Sequence, residues 1–184
     1  IMLVFPMGFF FSLFGINEFS AAGWPLMTSL LTIILVYYFG RMFFNRRVGL
    51  IAAFLFAIFP LDVFESTRAM PDVPMAFFLF LSAYLFFKGE FTSKKVYYVV
   101  AGLSFGLAYL VKVLAFVYLP FFVLYFIIKS LRTKRLQYAH FLVLIGFLII
   151  FIVESSFYFF KTNDFLYRYH VVEKIYSQEP YPGV

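Results

Sequence analysis

The sequence predicts an all-α, polytopic transmembrane helix bundle, and three observations carry that reading. Of the 184 residues, 64% are hydrophobic, 25% aromatic and 13% charged, which is more apolar surface than a soluble core of this length can bury. The 31 Phe and 14 Tyr lie in long blocks along the whole chain, excluding a disordered, collagenous or ordinary secreted globular protein. The charged residues gather at the edges of those blocks.

A hydrocarbon core of roughly 30 Å takes about 20 helical residues, fewer where a helix is shielded by others. Seven blocks qualify as spans: 1–14, 20–40, 48–61, 73–87, 96–111, 113–128 and 136–153. Trp24 and the pairs Tyr37 with Tyr38 and Tyr97 with Tyr98 fall at expected membrane interfaces. Gly40 is placed to close its helix in the left-handed conformation. The stretch from Val96 to Ile128 is broken only by Lys112, and as one helix it would reach about 50 Å, so a tight turn is expected there. Gly102 and Gly106 form a GxxxG spacing that lets a neighbouring helix approach.

The formal charge of +6 raises nucleic-acid binding, but the placement of the charges answers differently. Arg41, Arg46 and Arg47, then Lys88, Lys94 and Lys95, then Lys129, Arg132, Lys134 and Arg135 occupy three loops on one side, which the positive-inside rule makes cytoplasmic. The opposite side and the tail hold every acid except Glu90: Glu18, Asp62, Glu65, Asp72, Glu154, Asp164, Glu173 and Glu179. The basic excess is therefore a topology signal, and no nucleic-acid partner is expected. The absence of Cys excludes disulfides, thiolate metal sites and cysteine nucleophiles.

Ile1 opens the chain without a basic stretch or a small-residue cleavage site, so the first block does not read as a signal peptide. With Tyr181, Pro182, Gly183 and Val184 stopping in a polar tail, the expectation is an internal piece. Residues 1–153 then form a partial bundle, and 154–184 begin a further outer-face segment.

The outer loop from Phe59 to Pro74 is the most informative stretch, with Asp62, Glu65, Arg68 and Asp72 close together in a very apolar chain. Membrane-edge charges are costly, so the cluster is a candidate site, with simple loop solvation as the plain alternative. Asp72 precedes a helix with Pro74 in its first turn, which suits an N-cap, and it also suits a general base for a hydroxyl. Lys112 either snorkels to headgroups or, with Arg68, supplies cations for a phosphate at the membrane surface. His140 reads as a packing or interfacial residue. His170, near Asp164, Arg168 and Glu173, reads either as part of an exposed amphipathic segment or as a site residue. No HExxH-type spacing is present, so a divalent cation would need scattered carboxylates. Asp62, Glu65 and His170 are the further candidates for acidic, acceptor-binding or metal positions.

From about Phe14 to Ile128 the chain resembles the GT-C type glycosyltransferases, in particular the protein O-mannosyltransferase and aminoarabinose-transferase-like group, glycosyltransferase family 39. The resemblance is carried by Phe39-Gly40-Arg41 through Ala52-Ala53, by Phe59-Pro60, by Met70-Pro71-Asp72-Val73-Pro74 and by Ala101-Gly102 through Val111-Lys112. It implies a GT-C-like bundle and an enzyme moving a sugar from a polyprenyl-phosphate carrier to a protein, lipid or glycan hydroxyl at the outer face. On this likeness Asp72 matches the acidic position of the second outer loop, Lys112 the donor-phosphate lysine, and no cofactor is required. The family's acidic pair in the first outer loop would precede Ile1, and Glu18 is no substitute for it, so this piece alone is expected to be inactive. The expected location is the plasma membrane, or the endoplasmic reticulum in a eukaryote, with the active face non-cytoplasmic.

The expected chemistry is an inverting transfer: a carboxylate takes the acceptor proton while cations steady the departing polyprenyl phosphate. A transporter is the main rival, but the charges sit at the edges and no internal repeat is evident. A non-catalytic membrane scaffold is the third reading.

Overall fold

The structure is a computed structural model that describes residues 4–133 and 138–178. Helices α1 (Val4–Phe14), α2 (Glu18–Phe43), α3 (Arg46–Ala57), α4 (Pro60–Ser66), α5 (Asp72–Thr92) and α6 (Lys95–Val111) follow in order. A 3-10 turn (Val113–Tyr118) leads into α7 (Leu119–Thr133), and a second one (Tyr138–His140) into α8 (Phe141–Thr162) and α9 (Tyr167–Gln178). No strand occurs among the described residues. Lys134, Arg135 and Glu179, used above to assign sidedness, lie outside them.

Local chemistry sets several boundaries. Asn17 caps α2, its side chain accepting from the Ser20 N–H at 2.8 Å, and Asn45 caps α3 through the Val48 N–H at 3.0 Å. Asn163 ends α8 with a left-handed φ of 58°. Gly40 does not terminate α2 as expected. The helix continues to Phe43, and a Cβ on Gly40 would lie 2.8 Å from the Gly49 Cα, so glycine is needed there for the approach of α3.

Among the described residues four helical stretches are long and apolar enough to cross a membrane: Glu18–Phe43, Asp72–Thr92, Val113–Arg132 and Tyr138–Thr162. The bent pair α3 and α4, kinked by 58°, makes a fifth if counted as one span. This is short of the seven expected, because Phe5–Phe14 and Lys95–Val111 are apolar but too short to count by length. The protein is a multi-pass, all-helical membrane bundle.

The turn expected at Lys112 is present. Lys112 is extended (φ −150°, ψ 130°), and the chain beyond it runs back along α6. Tyr109 packs on Phe116 and Phe105 on Phe122, while Tyr98 and Tyr125 both reach Glu90. Helices α5, α6 and α8 form the core, with Phe78, Phe86, Ala101, Phe105, Ala108, Tyr109, Val143 and Phe147 buried between them. Close packing of α6 on α8 depends on Gly102, where a Cβ would collide with the Val143 carbonyl oxygen, and on Gly106, which faces Ile150. The GxxxG spacing thus serves packing, as expected.

The antiparallel helices give the bundle two chemically distinct ends. One holds the start of α5 and the end of α6; the other holds the end of α5 and the starts of α6 and α8.

Candidate functional site

At the first end, Asp72 is the first residue of α5. Its preceding cap is Pro71 in helical geometry (φ −76°, ψ −13°), with no side-chain cap hydrogen bond, so the capping role considered for Asp72 is not taken up. The Lys112 Nζ donates to Asp72 Oδ1 at 2.7 Å. Both side chains are partly open, Lys112 at 37% and Asp72 at 46%, so the pair is reachable from outside. An ion pair this exposed adds at most about 1 kcal/mol to stability, too little to explain two charges at a membrane edge. Lys112 turns to a carboxylate on the bundle rather than snorkelling freely to headgroups.

Two further ties fix the sliding register of α5 on α6. Ser82 Oγ donates to the Ala101 carbonyl at 2.7 Å midway along the pair, and Tyr98 Oη donates to Glu90 Oε1 at 2.7 Å at the far end. With no apolar driving force between helices in lipid, such bonds and the close backbones hold the two helices in place.

The other residues expected here are dispersed. Asp62, on α4, accepts from Ser29 Oγ of α2 at 2.5 Å. Glu65 lies one turn further along α4, with no ion pair among the described residues. The exposed Arg68 guanidinium stacks 3.7 Å from the Phe64 ring centroid, and it pairs with neither Asp72 nor Lys112 among the described residues. His170 Nδ1 lies 2.7 Å from Asp164 Oδ2 at the α8–α9 turn. That hydrogen bond raises the His170 imidazole above its ordinary value and lowers the Asp164 carboxyl below its own. Among the described residues no group of three or more His, Asp or Glu is gathered to hold a metal ion.

Two clusters escaped the sequence reading. Glu154, where the sequence places the start of the tail, lies inside α8 with a side chain only 3% exposed, and Arg168 Nη1 of α9 donates to its Oε1 at 2.8 Å. The run Phe157-Tyr158-Phe159-Phe160 beyond Glu154 was the available signal that the helix continues. At the opposite end Glu90 receives Tyr98, Tyr125 at 3.1 Å, Lys129 and His140 Nε2 at 2.6 Å. Its being the sole acid on the basic side was the only hint.

The family described as dolichyl-phosphate-mannose-protein mannosyltransferase matches residues 1–157. An uncharacterized protein of Aquifex aeolicus (strain VF5) is 28% identical over 166 residues, covering 90% of this chain and 37% of that protein. The chain thus spans little more than a third of that relative's length. No solved structure matches. Asp72 and Lys112, in contact at one end of the bundle, both fall within the matched region, and the chain belongs to the dolichyl-phosphate-mannose-protein mannosyltransferase family.

Proposed function

We propose that this chain is part of a membrane glycosyltransferase that moves a sugar from a polyprenyl-phosphate carrier to a hydroxyl on a protein, lipid or glycan. The reaction runs at the non-cytoplasmic face of the plasma membrane, or of the endoplasmic reticulum in a eukaryote. Family membership supports the reaction class, and the distribution of basic loops supports the face. The single observation that carries the residue assignment is the Lys112–Asp72 contact, which sets an ammonium and a carboxylate side by side at a membrane edge.

In the proposed reaction the donor phosphate takes the Lys112 ammonium, releasing Asp72 towards the acceptor hydroxyl. The acceptor oxygen bonds to the anomeric carbon from the face opposite the phosphate, and the bond from that carbon to the phosphate oxygen breaks. The hydroxyl proton passes to Asp72, and polyprenyl phosphate departs with its new charge against Lys112. Arg68, first considered for the same task, lies on Phe64 instead.

Membranes carrying the full-length protein, given labelled polyprenyl-phosphate sugars, should transfer label to an acceptor. Asp72→Asn should lower turnover by about a hundredfold or more with normal protein levels in the membrane. Undiminished turnover would remove Asp72 from the chemistry, and absence of transfer from every such donor would remove the reaction class.

A further inference from the structure

A phosphate held at Lys112 would be better bound by a second cation, and the residue expected to supply it is stacked on a ring. Arg68 is exposed in the turn after α4 and stacked on Phe64 of that helix. Another guanidinium reaches the same end of the bundle from far along the chain. Arg168, on α9, lies with Cζ 4.8 Å from the ring centroid of Tyr109. Tyr109 is in the closing turn of α6, the helix whose C-cap is Lys112. A helical turn rises only about 5.4 Å, so the supports of both cations lie within about one turn of each other.

Arg168 is also held as a recognition group should be. Its Nη1 donates to Glu154 Oε1 at 2.8 Å, and its side chain is 18% exposed. Tyr109 beneath it is buried. One carboxylate oxygen and one ring face orient the guanidinium but occupy only part of its five-donor fork. The remaining donors suit phosphate oxygens, which planar guanidinium groups bind in pairs.

We propose that Arg168, and not Arg68, is the second cation of the anionic headgroup site at Lys112, with Glu154 as its positioning residue. The inference rests on the reading of Lys112 as a phosphate-binding residue, and it extends that reading to a segment beyond residues 1–157 matched by the family. Headgroup recognition then depends on α9 folding back over the end of α8.

The test measures binding rather than transfer. Full-length protein in nanodiscs is titrated with a long-chain polyprenyl phosphate, with the uncharged polyprenol as control. Wild type and Arg68→Gln should prefer the phosphate, while Lys112→Gln should weaken phosphate binding by about tenfold or more. Because Arg168→Gln alone strands the buried Glu154 carboxylate, the deciding variant is Arg168→Gln with Glu154→Gln, which removes both charges together. It should fold and still show the tenfold loss, whereas a purely structural Arg168 would be rescued. Wild-type affinity in that double variant, alongside loss in Lys112→Gln, overturns the role of Arg168 alone. No preference of the wild type for phosphate over polyprenol overturns the reading of Lys112 and this inference with it.

Discussion

Glu90 shows how much a single carboxylate can organise. Its two oxygens take Tyr98 from α6, Tyr125 and Lys129 from α7, and His140 from the turn before α8. Its side chain is only 9% exposed, and its partner His140 is itself packed by the Phe86 and Phe126 rings, so these hydrogen bonds are what make the charge tolerable. Glu90→Gln removes the carboxylate that Lys129, Tyr98, Tyr125 and His140 share and should destabilise the bundle by about 2 kcal/mol, read as a lower melting midpoint in detergent. Glu90→Gln combined with Lys129→Gln should recover part of that loss, because removing both members of a partly buried ion pair costs less than removing one. Equal or greater loss in the double variant would show that the tyrosines and His140, rather than the ion pair, hold this end. None of these partners was legible in the sequence. They lie 8, 35, 39 and 50 residues from Glu90, and only the folding of three helices around α5 brings them together.

At the scale of elements, α6 is the pivot. It packs on α5 through Ser82 and Tyr98 and on α8 through Gly102 and Gly106, and its end presents Lys112. The packing meaning of the glycine spacing was readable in advance, since small residues four apart line one face of a helix. The partner helix was not: Gly102 meets Val143 and Gly146, more than forty residues away. Gly102→Leu should force α6 from α8, costing about 1–3 kcal/mol and lowering the yield of folded protein. Gly8→Leu is the matched control, since nothing lies within 4 Å of a Cβ there. Equal effects of the two substitutions on the melting midpoint would contradict the close approach of α6 and α8. Gly40 carries the opposite lesson. Its position before Arg41 looked like a helix end, yet contact with Gly49 overrode that local preference and α2 continued.

For the whole molecule, the decisive property is that its polar clusters occupy opposite ends of an apolar body. Asp72 with Lys112 and Glu154 with Arg168 lie at one end, and the Glu90 cluster lies at the other. The flanks between them display Phe54, Leu55, Leu144 and Ile149, side chains that suit lipid rather than water. Because the chain has no Cys, single cysteines report on sidedness without background. Cysteine placed at the exposed Lys161 should react with a membrane-impermeant thiol reagent added from outside, and cysteine at the exposed Lys94 should react only after the membrane is opened. Labelling of both from the same side would refute the two-ended arrangement and the proposed active face together.

The amino-acid order by itself determined the all-helical membrane class, the approximate helices and the break at Lys112, because these follow from hydropathy, charge spacing and helix length along a local stretch. It also singled out Asp72 and Lys112, since charges in so apolar a chain are few. Only the tertiary structure decided which of the charges meet. Lys112 went to Asp72, Arg68 to Phe64, Arg168 to Glu154 and His140 to Glu90. Those pairings depend on the rotation and depth of each helix against its neighbours, which close contacts such as those at Gly102 and Gly106 set and which no single segment encodes.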